Sequence, residues 1–245
     1  MKLDVAGVLR DAWAMAKRDV EVLVGVAGMF LFVPDLARAM YVALPPDLPD
    51  FGDEAAADLW LKQFGIWSQH YELLVIVLGL LSLFGTLALF LLYADRARPT
   101  VAGALARAGA LLPHYLLLAL IVTVPVSIGA VLVFPGLYLK GRLMPVAPVF
   151  VAERPIGVFA AWQRSFALTR GNGLVLMGLA FVPLLGGRLI ALPFALLGKA
   201  LDGAPMANPV MAALLDAGMA GGHTIGTVAA VLIEIALYRR LSNGI

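Results

Sequence analysis

PGLYLKGRLMPVAPVFVAERPIGVFAAWQRSFALTRGNG, residues 135–173, is the stretch whose reading decides the fold. Pro135 and Gly136 break a long apolar run. A short apolar segment, 137–152, follows and carries Lys140 and Arg142. Glu153 comes next, and then a basic segment with Trp162, Ser165, Thr169 and Gly171. The stretch reads as a turn, a descent through a bilayer, and a helix lying on the far surface.

The rest of the chain agrees with a bilayer. Hydrophobic residues make up 62% of the 245 residues, charged residues 14%, and mean hydropathy is +0.93. A soluble domain is about half apolar and about a quarter charged, so a water-soluble shell is excluded. There is no cysteine, which removes disulfides, thiolate metal sites and cysteine nucleophiles. The net charge is only +2, and the basic residues cluster beside apolar runs. That pattern speaks for membrane orientation and against nucleic acid as a partner. The first 19 residues mix both signs of charge and precede a run without a small-residue cleavage pattern, so the segment is expected to be retained.

A membrane-spanning helix needs about 20 mostly apolar residues. Working outward from 135–173, six segments qualify or nearly do: 20–44, 73–93, 115–134, 137–152, 174–197 and 210–238. The fourth is the shortest and carries two charges. Charge bias argues for including it. With six crossings, segments 1–19, 94–114, 152–173 and 239–245 share one face and hold twelve of the Lys and Arg residues. Segments 45–72 and 198–209 on the other face hold only Lys62 and Lys199. By the positive-inside rule, both termini then lie on the cytoplasmic side of a bacterial inner membrane. In 45–72, Trp60, Phe64, Trp67 and Tyr71 recur at spacings of four, three and four, which places four rings on one helical face. Two readings fit: a short helix lying on the outer surface, or rings packed on the bundle.

Three stretches resemble one another: 5–34, 101–125 and 156–183. Each has a glycine near its start (Gly7, Gly103, Gly157) and ends in Val-Pro (Pro34, Pro125, Pro183). Each reads as a surface helix, a bend and a span containing proline. The expected fold is therefore all-α: a six-helix membrane bundle with interfacial amphipathic helices and a threefold internal repeat.

Charges within apolar segments demand a reason, since each costs about 2.5–3.5 kcal/mol on insertion scales. Asp35 and Arg38 are three apart and able to pair. Counting about 1.5 Å per residue along straight spans places Arg38, Lys140, Arg142, Arg188, Asp35 and Asp216 in the outer part of the membrane. They suggest a net-positive pocket suited to an anionic headgroup or phosphate; snorkelling or structural pairing is the alternative. No HExxH, GxSxG, P-loop or metal-ligand spacing occurs, and His70, His114 and His223 each stand alone. No enzyme activity, metal or cofactor is expected. Gly218 and Gly222 form one GxxxG helix-contact motif.

Pro135-Gly136, Tyr138, Arg142, Pro145 and Pro148, Glu153, Gly157, Ser165, Thr169 and Gly171 follow one order. In that order the chain resembles the YciC-like six-span integral membrane proteins and the membrane domain attached to some glycerophosphoryl diester phosphodiesterases. The resemblance implies a helical membrane domain; it does not imply phosphodiesterase activity, because the catalytic part of those fusions is a separate soluble barrel for which these 245 residues leave no room. Plain structural roles suit its residues: Glu153 accepting from backbone amides or pairing with an arginine, Ser165 lying against a neighbouring helix. The first functional expectation is a non-enzymatic protein that binds or moves an anionic lipid-related solute in the lipid bilayer. The second is a scaffold that anchors or regulates a membrane-protein partner, and the third an intramembrane enzyme.

Overall fold

A computed structural model describes residues 3–49, 52–97, 99–201 and 209–242. Lys2 and Arg98, both in the charge count, and much of the 198–209 loop lie outside the described residues. The described residues are helical, without strands. Five helices are long and apolar enough to cross a membrane: Val20–Tyr41, Glu54–Ala94, Val101–Ala130, Gly173–Leu201 and Pro209–Ser242. The protein is thus an all-α chain with the helices of a membrane protein.

Helix α1, Val5–Arg18, begins where the Asp4 carboxylate accepts from the Gly7 amide at 2.9 Å. Its apolar side buries Val8, Ala12 and Met15. The first long helix is interrupted: α2 (Val20–Ala27) passes through a π-helical turn, Gly28–Phe32, into α3 (Val33–Tyr41). Pro34 explains the interruption, because it cannot donate to the helical ladder and crowds the preceding turn. Phe30, in the widened turn, sits where a Cβ on Gly85 would be 2.4 Å from its own.

Helix α4, Glu54–Ala94, runs 41 residues without a break. The aromatic segment, open to two readings as a short surface helix or as rings packed on the bundle, is continuous with the apolar run of the same helix. Its rings do share a face: Trp60–Phe64 and Phe64–Trp67 stack at 5.0 and 5.6 Å, and Tyr71 follows at 5.8 Å. Trp60 and Trp67 donate to the carbonyls of Pro46 and Ala43, so this face is tied to the preceding loop. Helix α5, Val101–Ala130, similarly joins the expected surface helix and the following span.

Residues 137–152 form no single straight helix. They divide between α6 (Phe134–Leu143) and α7 (Val146–Ala152), with the break at Met144 and Pro145. The α5–α6 turn is tight: a Cβ on Gly136 would lie 2.4 Å from the Ala130 nitrogen, which only glycine permits. Helix α8, Val158–Leu168, ends at Gly171, whose φ of +82° reverses the chain into α9 (Gly173–Leu201). Helices α9 and α10 (Pro209–Ser242) pack through glycine. A Cβ on Gly187 would lie 2.9 Å from the Gly222 oxygen, and one on Gly218 would meet the Phe194 ring at 2.2 Å.

The three resembling stretches thus end differently around their prolines. Pro34 opens α3, while Pro125 and Pro183 lie inside α5 and α9.

Candidate functional site

The motif residues of 135–173 converge on one joint. Arg142, near the end of α6, reaches across to α8: its Nε donates to Thr169 Oγ1 at 2.7 Å and its Nη2 to the Phe166 carbonyl at 2.7 Å. Its Nη1 donates to the Tyr138 hydroxyl at 3.1 Å. Ser165 completes the joint by donating to the Arg142 carbonyl at 2.9 Å. Ser165 and Thr169 are fully buried there. Glu153, at the end of α7, pairs with Arg164 at 3.2 Å and accepts from the Tyr238 hydroxyl at 3.2 Å. Pro135 opens α6, Gly136 closes its turn, and Gly171 ends α8. These residues join α6, α7, α8 and α10.

Of the six residues expected to form a positive pocket, only Asp35 and Arg38 are joined to each other by an ion pair or hydrogen bond. Arg142 is committed to α8, and the straight-span count that set its depth does not apply across the Pro145 break. Arg38 pairs with Asp35. Lys140 and Arg188 are exposed. Among the described residues no hydrogen bond or ion pair joins any two of Arg38, Lys140, Arg142, Arg188 and Asp216. None of them lines the three cavities described here. Among the described residues, no three His, Asp or Glu side chains gather as a metal site requires.

Basic residues collect instead at the end of the bundle where the helix termini meet. A cleft of about 930 Å³ opens there, lined by Arg18 and Asp19 at the end of α1, by Tyr93, Asp95 and Arg96 at the end of α4, and by Thr100 before α5. Ala152, Tyr238 and Arg239 close it from α7 and α10. Both aspartates are already matched. Asp19 takes the Arg18 guanidinium at 2.8 Å, and Asp95 takes Arg107 at 2.6 Å. The Arg18 hydrogen bond holds the Asp19 carboxyl below its ordinary value. Arg239 donates to the Tyr93 carbonyl at 2.5 Å and touches Met15 Sδ at 3.4 Å, fixing α10 against α1 and α4. What faces an incoming ligand is therefore net positive charge on a preorganised frame.

The opposite side of the α1–α2 corner is apolar. A groove of about 590 Å³ runs between α1–α2 and α10, lined by Leu9, Trp13, Leu23, Ala27, Ile225 and Val228. Lys17 Nζ lies 5.2 Å from the centre of the Trp13 ring at its edge. Residues 18, 19 and 22 line the cleft while 20, 23 and 24 line the groove, so the α1–α2 corner runs between a polar site and an apolar one.

The sequence signal for this cleft was the clustering of basic residues at helix ends, which orientation alone seemed to account for. Set against protein-family models, characterised proteins and solved structures, the chain matches none.

Proposed function

We propose that this is a non-enzymatic polytopic protein of the bacterial inner membrane that binds an anionic, lipid-related solute at its cytoplasmic end. The observation that carries the reading is the net-positive cleft beside an apolar groove, one on each side of the α1–α2 corner. A phosphate or carboxylate headgroup suits Arg96, and an acyl chain suits the groove.

Six crossings support that placement. Asp4 and Asp11 of α1 meet Arg240 at the end of α10, so these residues share one end of the bundle. Tyr93, Ala152 and Tyr238 line the same cleft. The chain therefore leaves and regains that end three times: from 19 to 93, from 95 to 152, and from 153 to 238. Since α5 is long enough to cross, α6 and α7 together carry the return. Two of the three circuits open with a separate helix at this end, α1 and α8, while in the second α5 carries both parts in one helix. In the same reading the motif of 135–173 reflects kinship with the YciC-like family.

The test is lipid retention by the full chain in native mass spectrometry, comparing phosphatidylglycerol with phosphatidylcholine. The proposal expects preference for the anionic lipid, and a loss of about tenfold in Arg96→Gln, equivalent to roughly 1.4 kcal/mol. Equal retention of the two lipids, or an Arg96→Gln variant indistinguishable from the parent, refutes it.

A further inference from the structure

Glu234 sits on α10 between the buried Ile233 and Ile235 and is itself half-buried. Among the described residues it has neither a hydrogen bond nor an ion pair. It lines a partly open cavity of about 220 Å³ between α4, α5, α10 and the α6–α7 break. Hydroxyls from three helices share that lining: Thr86 from α4, Tyr115 and Thr123 from α5, and Thr227 from α10. The Thr86 hydroxyl donates to the Ser82 carbonyl at 2.8 Å, which leaves its oxygen available as an acceptor. Phe90, Leu118, Leu143 and Val146 supply apolar walls. Tyr115 on α5 and Lys140 on α6 are the ionisable groups whose charge couples with Glu234. Neither α4 nor α7 presents an ionisable side chain to the cavity.

A carboxylate taken out of water costs several kcal/mol unless it is compensated. The positive charge of Lys140 supplies part of that compensation, and the cavity has room for more: a water occupies about 30 Å³ of liquid, so the cavity accommodates a small hydrated ligand and no lipid headgroup with its tails. One carboxylate balances one positive charge, and the other oxygens on offer are neutral. We propose that the Glu234 cavity binds a small monovalent cation, either an alkali ion or a compact primary ammonium group. Glu234 is the counter-charge, and Thr86, Thr123 and Thr227 are the neutral oxygen ligands. The site shares no lining residue with the headgroup cleft, so either stands if the other fails.

The experiment uses the full chain in liposomes and dicyclohexylcarbodiimide, which modifies carboxyls in apolar surroundings. The modification rate at Glu234 is read by peptide mass spectrometry in choline chloride, then with sodium, potassium or methylammonium chloride substituted at equal ionic strength. The proposal expects modification at Glu234, absent in Glu234→Gln. It also expects protection by one of the three small cations, by about fivefold when the cation reaches four times its Kd. Sodium or potassium protection identifies an alkali-ion site, and methylammonium protection an ammonium site. Thr227→Val should be modified like the parent but need severalfold more cation for the same protection. No protection by any of the three, no modification in choline, or unchanged protection in Thr227→Val overturns the assignment. The Thr227→Val arm decides the matter even if Glu234→Gln fails to fold.

Discussion

Arg240, in the last turn of α10, donates to Asp11 of α1 at 2.6 Å and to Asp4, the residue that caps the same helix, at 3.1 Å. A single guanidinium therefore joins the beginning of the described chain to its end. A Cβ on Gly7 would lie 2.2 Å from Arg240 Nη1, so glycine at that position leaves the space the arginine occupies. The contact is half-exposed and screened by water, and its value lies in position more than in energy.

The pH dependence follows from that contact. The hydrogen bond from Arg240 holds the Asp11 carboxyl below its ordinary value of 3.8, with the positive charge of Arg240 adding to the effect. A carboxyl more acidic in the folded state stabilises the fold above its unfolded pKa, and that contribution is lost as pH falls through the folded value. The melting temperature should decline as pH drops below about 3.8. Asp11→Asn should show a smaller decline from a lower starting point. A variant with the same slope as the parent would remove Asp11 from the account.

The Arg142 joint predicts a loss that lysine does not repair. A lysine ammonium is a single point donor and cannot serve Thr169 Oγ1 and the Phe166 carbonyl in the fork geometry of a guanidinium. Arg142→Lys should lower stability by roughly 1.5–3 kcal/mol, the range for hydrogen bonds to charged groups. Unfolding in mixed detergent micelles measures it. Thr169→Val should cost a similar amount, and the double variant less than the sum, because both remove one interaction.

The α9–α10 contact separates two adjacent glycines. A Cβ on Gly222 would lie 2.7 Å from the Ala191 nitrogen and 2.9 Å from the Gly187 oxygen, both backbone atoms that cannot step aside. Gly222→Ala should cost about 1–3 kcal/mol through overpacking. A Cβ on Gly221 meets nothing within 4 Å. Gly221→Ala should therefore be neutral, or stabilising by up to about 1 kcal/mol from helix propensity. The same micelle unfolding assay reads both, and equal losses would contradict the packing described.

Much of this architecture was legible in the chain. The apolar runs at 73–93, 174–197 and 210–238 fall within α4, α9 and α10. The spacing of Trp60, Phe64, Trp67 and Tyr71 marked a helix face. Its continuity with the span was readable too, since no proline occurs between Pro49 and Pro99. Pro145 marked the break in 137–152 in the same way. The sites were harder to read. Arg18, Arg96 and Tyr238 reach one cleft from three distant segments, and no local spacing announces such convergence. Glu234 is the one charged residue between Asp216 and Arg239, and no motif surrounds it. The available clue was Thr227, seven residues earlier and so on the same side of α10.

The order of crossings is the prediction on which the cytoplasmic placement of the cleft rests. Because the chain contains no cysteine, single-cysteine variants need no prior substitutions. Gln163→Cys is the informative probe. Gln163 lies on the exposed side of α8, between the circuit ending at Ala152 and the one ending at Tyr238. If α6 and α7 together return the chain to its starting end, a membrane-impermeant thiol reagent should reach Gln163→Cys and Ser242→Cys from the same side. Asp47→Cys, in the loop between α3 and α4, should react only from the other side. Labelling of residues 163 and 242 from opposite faces would mean that α6 and α7 turn back without crossing. That result would separate Glu153 from Tyr238, whose hydroxyl it accepts at 3.2 Å, and the topology would fall with it.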